Sequence, residues 1–168
     1  MSKTTHHADD LIRLFNETFE DSHNTVLIGG GAEPEYRPAD ELHPQHRIIF
    51  TRDYFASALH EVAHWCIAGA HRRKLVDYGY WYEPDGRGPE RQAEFERVEA
   101  RPQAIEWAFS IACGSPFRVS LDNLDGPQTA SEAFQARVRE ARTTMEAVGF
   151  PPRAKTFIRV LRDWYQGS

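Results

Sequence analysis

The sequence predicts an α+β fold dominated by helices, and three observations carry that prediction. Helical apolar periodicity recurs along most of the 168 residues. Strand-like runs are few and short, and one helical stretch, apolar nearly all round, contains the pattern HExxH. That stretch, TRDYFASALHEVAHWCIAGA at residues 51–70, is the central element.

In chain order, residues 7–20 (HADDLIRLFNETFE) form an amphipathic helix, with Leu11, Ile12, Phe15 and Phe19 on one face and Leu14 at its edge. Residues 24–28 are a short strand, ended by Gly29-Gly30-Gly31. That glycine run lacks the strand–GxGxxG–helix context of a nucleotide site and reads as a flexible turn. Residues 32–45 carry Pro34, Pro38 and Pro44 and read as a surface loop. Residues 47–50 (RIIF) are a buried strand leading into the HExxH helix.

Thr51 is placed to cap that helix, Asp53 suits its first turn, and Gly69 is its expected stop. Residues 77–86 hold four aromatics within five positions before a Pro-Asp-Gly turn. They read either as a strand with hydroxyls facing a pocket or as a twisted edge strand that packs well. Residues 92–98 are helical, and Pro102 in a first-turn position begins a second helical pattern over 103–113, stopped by Gly114. Residues 117–120 are a possible strand and 121–128 a turn-rich loop. Residues 131–148 form a long amphipathic helix. Residues 152–165 form a terminal helix with Phe157, Ile158, Val160, Leu161 and Trp164 facing inward.

At 168 residues the chain has the length of one domain, spanning 1–168, with no repeats or low-complexity tracts. Composition is that of a soluble protein, 40% hydrophobic and 27% charged. No apolar run approaches membrane-spanning length, and the N-terminus has no hydrophobic leader core. Cys66 and Cys113 sit in apolar helical patterns as small buried hydrophobes rather than a disulfide framework. Together these favour the cytoplasm. A net charge of −5 argues against non-specific nucleic-acid binding.

His60 and His64 lie one turn apart on one helix face, so both imidazoles can reach one metal ion. Ionisable groups in the middle of so apolar a helix need pairing or a metal. A catalytic site normally adds a third protein ligand and keeps a position open. His71, beyond the helix stop, reads as a helix-end cation. The acidic stretch Glu94, Glu96, Glu99 and Glu106 is the better source, with Glu94 and Glu96 in a solvated charge run. Glu99, Gln103 and Glu106 share a face if the helix is continuous through Pro102. Glu106 is either a ligand or an acceptor for a ligand histidine.

Two histidines and one carboxylate fit two chemistries. With zinc, Glu61 is the general base of a metallopeptidase. With iron(II), the same facial triad leaves positions open for oxygen, and Glu61 becomes a supporting group or proton relay. A closed, fully protein-ligated structural metal is a third possibility.

The run ASALHEVAHWCIAGAHRRKLVDYGYWYEPDGR, with FERVEARPQAIEWAF and VSLDNLDG, resembles the bacterial elongation factor P hydroxylase family. The likeness spans most of the chain, and HWCIAG, DYGYWY-x-PDGR and RPQA-x-EW are far more specific than HExxH. Where family members often carry a cysteine before the PDG turn, this chain has Glu83. The resemblance implies a zincin-like core with a small sheet and a central HExxH helix. It also implies a non-haem iron(II) monooxygenase that uses molecular oxygen to hydroxylate the β-lysylated lysine of elongation factor P. His60 and His64 match the family's HExxH histidines. Glu99 matches the acidic residue ahead of the PQA segment, which ranks it before Glu106 as third ligand. A doubly aminated side chain needs aromatic walls and carboxylates; Tyr78, Tyr80, Trp81 and Tyr82 are candidates for the first, and Asp77, Asp85 or Asp122 for the second. No nucleic acid or membrane is implied as partner.

Overall fold

The computed structural model describes residues 6–79, 89–119 and 132–167. Helix α1 (Ala8–His23) buries Leu11, Leu14, Phe15 and Phe19, spaced as one helix face demands. It ends at Asn24, whose φ of 51° is the left-handed cap conformation. Three strands follow: β1 (Thr25–Gly31), β2 (Glu35–Arg37) and β3 (His46–Thr51). Their order is β1-β3-β2, with β1 parallel and β2 antiparallel to the central β3. Helix α2 (Phe55–Ile67) leaves β3 after a short turn. Two 3-10 turns (Arg72–Lys74 and Val76–Gly79) lead on, and α3 (Pro89–Cys113), α4 (Glu132–Val148) and α5 (Pro152–Gln166) complete the helices.

The core is aromatic. Trp65 of α2 is fully buried against Phe15 and Phe19 of α1, and Phe157 of α5 meets Phe15, Phe19 and Phe109 of α3. Arg73 ties off α2 by donating to the Trp65 and Cys66 carbonyls, and its own carbonyl accepts the Tyr36 hydroxyl at 2.6 Å. Both cysteines are buried and free, as their apolar setting predicts. Among the described residues no helix is long and apolar enough to cross a membrane.

Several expectations are corrected. The triple glycine is strand: β1 runs to Gly31 through a register shift after Ile28. Glycine is required there by close packing, because a Cβ at Gly29 would sit 2.7 Å from Phe50 Cζ. Gly29→Ala is expected to destabilise the fold by about 1–3 kcal/mol, checked by denaturant unfolding, since buried Phe50 has nowhere to move. The segment read as a loop contains β2, held by pairing with β3. Helix α2 begins after Tyr54 rather than at a Thr51 cap, because Thr51 is the last residue of β3; it ends at Ile67, two residues before Gly69.

The two helical patterns around Pro102 are one continuous helix, α3, with proline inside it. Proline removes one helical N–H, and here the turns on both sides carry the helix past that gap. The aromatic stretch does not begin as a strand. Asp77 and Tyr78 both adopt left-handed backbone, φ 51° and 60°, in a 3-10 turn. That costs about 1–2 kcal/mol per residue. It is offset by Asp77 Oδ1 accepting from the Tyr36 N–H at 2.9 Å and by the Tyr36–Tyr78 ring stack at 4.3 Å. Residues 117–119 form no strand; Phe117 stacks on Trp107 instead, with centroids 5.1 Å apart.

Candidate metal centre

Helices α2 and α3 pack together and supply all three candidate ligands. His60 and His64 project from one face of α2. Glu99 projects from α3, where it is almost fully buried at 2% exposure. His60 Nε2 lies 2.7 Å from Glu99 Oε1, His64 Nε2 lies 3.2 Å from Glu99 Oε2, and the two Nε2 atoms are 3.2 Å apart. These residues are the group among the described residues that can hold an ion.

The spacing fits a metal. Two donors each about 2.1 Å from one ion and at right angles to each other lie about 3 Å apart. The separations, to Glu99 Oε1 from His60 and to Oε2 from His64, are near that value, so these three side chains would hold one ion.

The other nitrogen of His60 is equally constrained. Nδ1 lies 2.7 Å from Glu106 Oε1, about two helical turns beyond Glu99 on α3. A carboxylate there fixes the ring's orientation and, with Nδ1 carrying a proton, directs the Nε2 lone pair at the ion. The continuity of α3 through Pro102 puts Glu99, Gln103 and Glu106 on one face, and all three line the same cleft.

Burial works against a charged His60, but Glu99 and Glu106 override it and hold the imidazole's pKa well above its usual value. Burial likewise opposes the Glu99 anion, and His64 and His60 override that, holding its carboxyl far below the usual range. In the absence of metal these shifts favour the protonated His60 imidazole, which lies between the Glu99 and Glu106 carboxylates. A metal must displace that proton. Affinity is expected to fall about tenfold for each pH unit below the raised His60 pKa and to level off above it. Metal titrations at a series of pH values, with proton release measured in two buffers, check both parts. Glu106→Gln is expected to weaken metal binding by about 10- to 100-fold without unfolding the protein, read by competition with a chelator.

The cleft in front of the triad has a volume of about 990 Å³. His60, Glu61, Glu99, Gln103 and Glu106 line it from α2 and α3; Glu33, Tyr54, Phe117 and Arg118 line it from segments outside those two helices. Glu61 thus faces the same space as two of the ligands. Sequence reasoning missed the lining residues outside those helices, because the β1–β2 turn and the segment after α3 carry no motif. Asp77 and Tyr78 are not lining residues: Asp77 holds the Tyr36 backbone, and Tyr78 is buried between Tyr36 and His64, its ring 6.4 Å from the latter. His71 is exposed beyond the helix, away from the triad. Glu96 is partly buried on α3 outside the triad. Tyr80, Trp81, Tyr82, Asp85 and Asp122, and the side chain of Glu94, lie outside the described residues.

Residues 14–168 match the protein family described as Elongation factor P hydroxylase. The chain is also 46% identical over 160 residues to a Haemophilus influenzae protein named elongation factor P lysine hydroxylase, covering 95% of this chain and 90% of that protein. The chain belongs to the elongation factor P hydroxylase family.

Proposed function

We propose, with that membership as premise, that the chain is a non-haem iron(II) hydroxylase acting on the β-lysylated lysine of elongation factor P. The observation that carries the reading is the facial grouping of His60, His64 and Glu99, donors about 3 Å apart at the base of an open cleft. Two histidines and one carboxylate in that arrangement, with open positions, suit ferrous iron and oxygen chemistry. When bound, iron supplies the activation of molecular oxygen. No nucleic acid or membrane enters the reading, and a translation factor as substrate puts the reaction in the cytoplasm.

The chain's own residues then have distinct tasks. Glu106 holds His60 in register through Nδ1. Glu61, facing the cleft, holds or passes a proton at its carboxylate. A cationic lysyl extension enters a cleft in which Glu33 and Glu61 are the described carboxylates not assigned to the metal or to His60, against one arginine, Arg118. Those charges favour an ammonium group, and Tyr54 and Phe117 offer rings for its methylene stem. Tyr80 and Tyr82 are proposed to complete the substrate side, and Asp77 and Tyr78, which do not line the cleft, to act there only by holding the segment that carries them. Asp77→Ala and Tyr80→Ala variants that modified substrate at unchanged rates would remove them from it.

The test is mass spectrometry of β-lysylated elongation factor P before and after incubation with iron-loaded, reduced protein in air, with His60→Ala as control. A gain of one oxygen on the modified lysine, absent in the control, is expected. An unchanged substrate, with zinc in the purified protein, would overturn the iron reading in favour of a metallopeptidase.

A further inference from the structure

The two ligand histidines are steadied in different ways. His60 has the Glu106 carboxylate on its Nδ1, 2.7 Å away. His64 meets Glu99 and His60 through Nε2, and among the described residues its Nδ1 has no hydrogen-bond partner. What lies against its ring is Tyr78, tilted from it by only 14°, with centroids 6.4 Å apart. The outer torsion of a histidine is broad, with no sharp preference of its own, so a flat neighbour decides the ring plane.

Tyr78 is held more firmly than burial alone requires. Asp77 and Tyr78 both take left-handed backbone, φ 51° and 60°, which L side chains avoid. Such strain persists only where the surroundings over-determine it, and it gathers at sites that use the fixed position. Four contacts over-determine it here. Asp77 Oδ1 accepts the Tyr36 N–H at 2.9 Å, and the Tyr78 carbonyl accepts from Arg72 Nη1 at 2.9 Å. The Tyr36 ring stacks on Tyr78 at 4.3 Å, and the Tyr36 hydroxyl is itself tied to the Arg73 carbonyl. The rings of Tyr36, Tyr78 and His64 therefore follow one another from β2 through the turn to α2. The Tyr78 hydroxyl takes no part in this: it is buried without a hydrogen-bond partner among the described residues.

We propose that Tyr78 is a positioning residue for the metal centre: its ring, fixed by the strained Asp77–Tyr78 turn, sets the plane of the His64 imidazole as Glu106 sets that of His60. Asp77 acts one step further out, through the Tyr36 backbone. This task faces the metal and not the substrate side of the cleft. It rests on the triad of His60, His64 and Glu99 and is independent of which metal or protein substrate that triad serves.

The experiment is zinc titration of the full-length protein against a competing chelator, with histidine ring NMR of the zinc-loaded forms. Tyr78→Leu removes the flat ring and is expected to weaken zinc binding about tenfold, the low end of the loss when a group orienting a metal ligand goes. Tyr78→Phe keeps the ring and is expected to bind within about twofold of the parent, since a hydroxyl without a partner has no bond to lose. Asp77→Ala, at an exposed position, is expected to weaken binding about threefold, because the remaining contacts still hold the ring. In the leucine variant the His64 ring signals should move while those of His60, fastened by Glu106, stay. Parental affinity in both Tyr78→Leu and Asp77→Ala would overturn the proposal. So would a loss in Tyr78→Phe as large as in Tyr78→Leu, which would assign the effect to the hydroxyl. His60 and His64 signals moving together would mean a general loosening of α2 and would overturn it too. Should the leucine variant not fold, Asp77→Ala and Tyr78→Phe decide by the same criteria. A parent that takes up no zinc would overturn the triad and this proposal together. No elongation factor P or iron is used, so failure of the hydroxylation assay and failure of this one are separate results.

Discussion

Replacing Glu99 with glutamine is expected to lower metal affinity by more than about 100-fold and to remove hydroxylation with it. The carboxylate is buried between His60 and His64, 2.7 and 3.2 Å from their Nε2 atoms. Losing a partner that merely orients a ligand typically costs about 10- to 100-fold, so losing a donor itself exceeds that range. Glutamine keeps the volume and one acceptor oxygen, and the packing of α2 on α3 survives. What it removes is the negative charge that offsets two imidazoles and the metal.

A second consequence separates this from simple misfolding. Without the Glu99 anion, one of the two groups that raise the His60 pKa is gone, so His60 in the metal-free variant should titrate at lower pH than in the parent. Histidine NMR on both metal-free proteins reads that shift, and circular dichroism reports the fold. A glutamine variant that bound metal with parental affinity would remove Glu99 from the ligand set. Glu106 would then be the carboxylate to test.

The parts of this site legible in the sequence are those whose geometry is local. HExxH fixes two histidines on one helix face by the helical repeat alone, and α2 keeps that repeat because its other faces are apolar. The third ligand, a carboxylate, comes from 35 positions further on, and spacing cannot say how α3 packs on α2. Pro102 hid the answer further, since proline commonly starts a helix and here lies within one. In the structure Glu99 and Glu106 take the two nitrogens of a single ring, a division of roles that no periodicity encodes.

Strand β2 was illegible for a related reason. Three residues, Glu-Tyr-Arg, carry no alternation, and they are held by β3 and by Asp77, 41 positions away. The glycine run misled because glycine is read as flexibility; here it is clearance for the Phe50 ring. Helices α1 and α5 were plain, as each concentrates its apolar residues on one face over a dozen residues or more.

Phe157→Ala is expected to cost about 3–5 kcal/mol, a large share of the roughly 5–15 kcal/mol that holds a protein of this kind folded. The ring is fully buried on α5 and meets Phe15 at 5.8 Å, Phe19 at 6.1 Å and Phe109 at 5.3 Å. It therefore joins α5 to α1 and α3 at one point, and alanine leaves a cavity bounded by three rings that cannot all close in. Phe109 is the link to function. It belongs to the same helix as Glu99 and Glu106, so loosening its contact loosens the ligand-bearing face of α3. Chemical denaturation should show the full loss in midpoint, and Tm should fall by about 10 °C. Metal binding should oppose it, because an ion that bridges α2 and α3 binds the folded chain alone and restores part of the stability by mass action. A variant whose unfolding midpoint did not rise on adding metal would mean that the loosened α3 no longer holds the ion at that concentration.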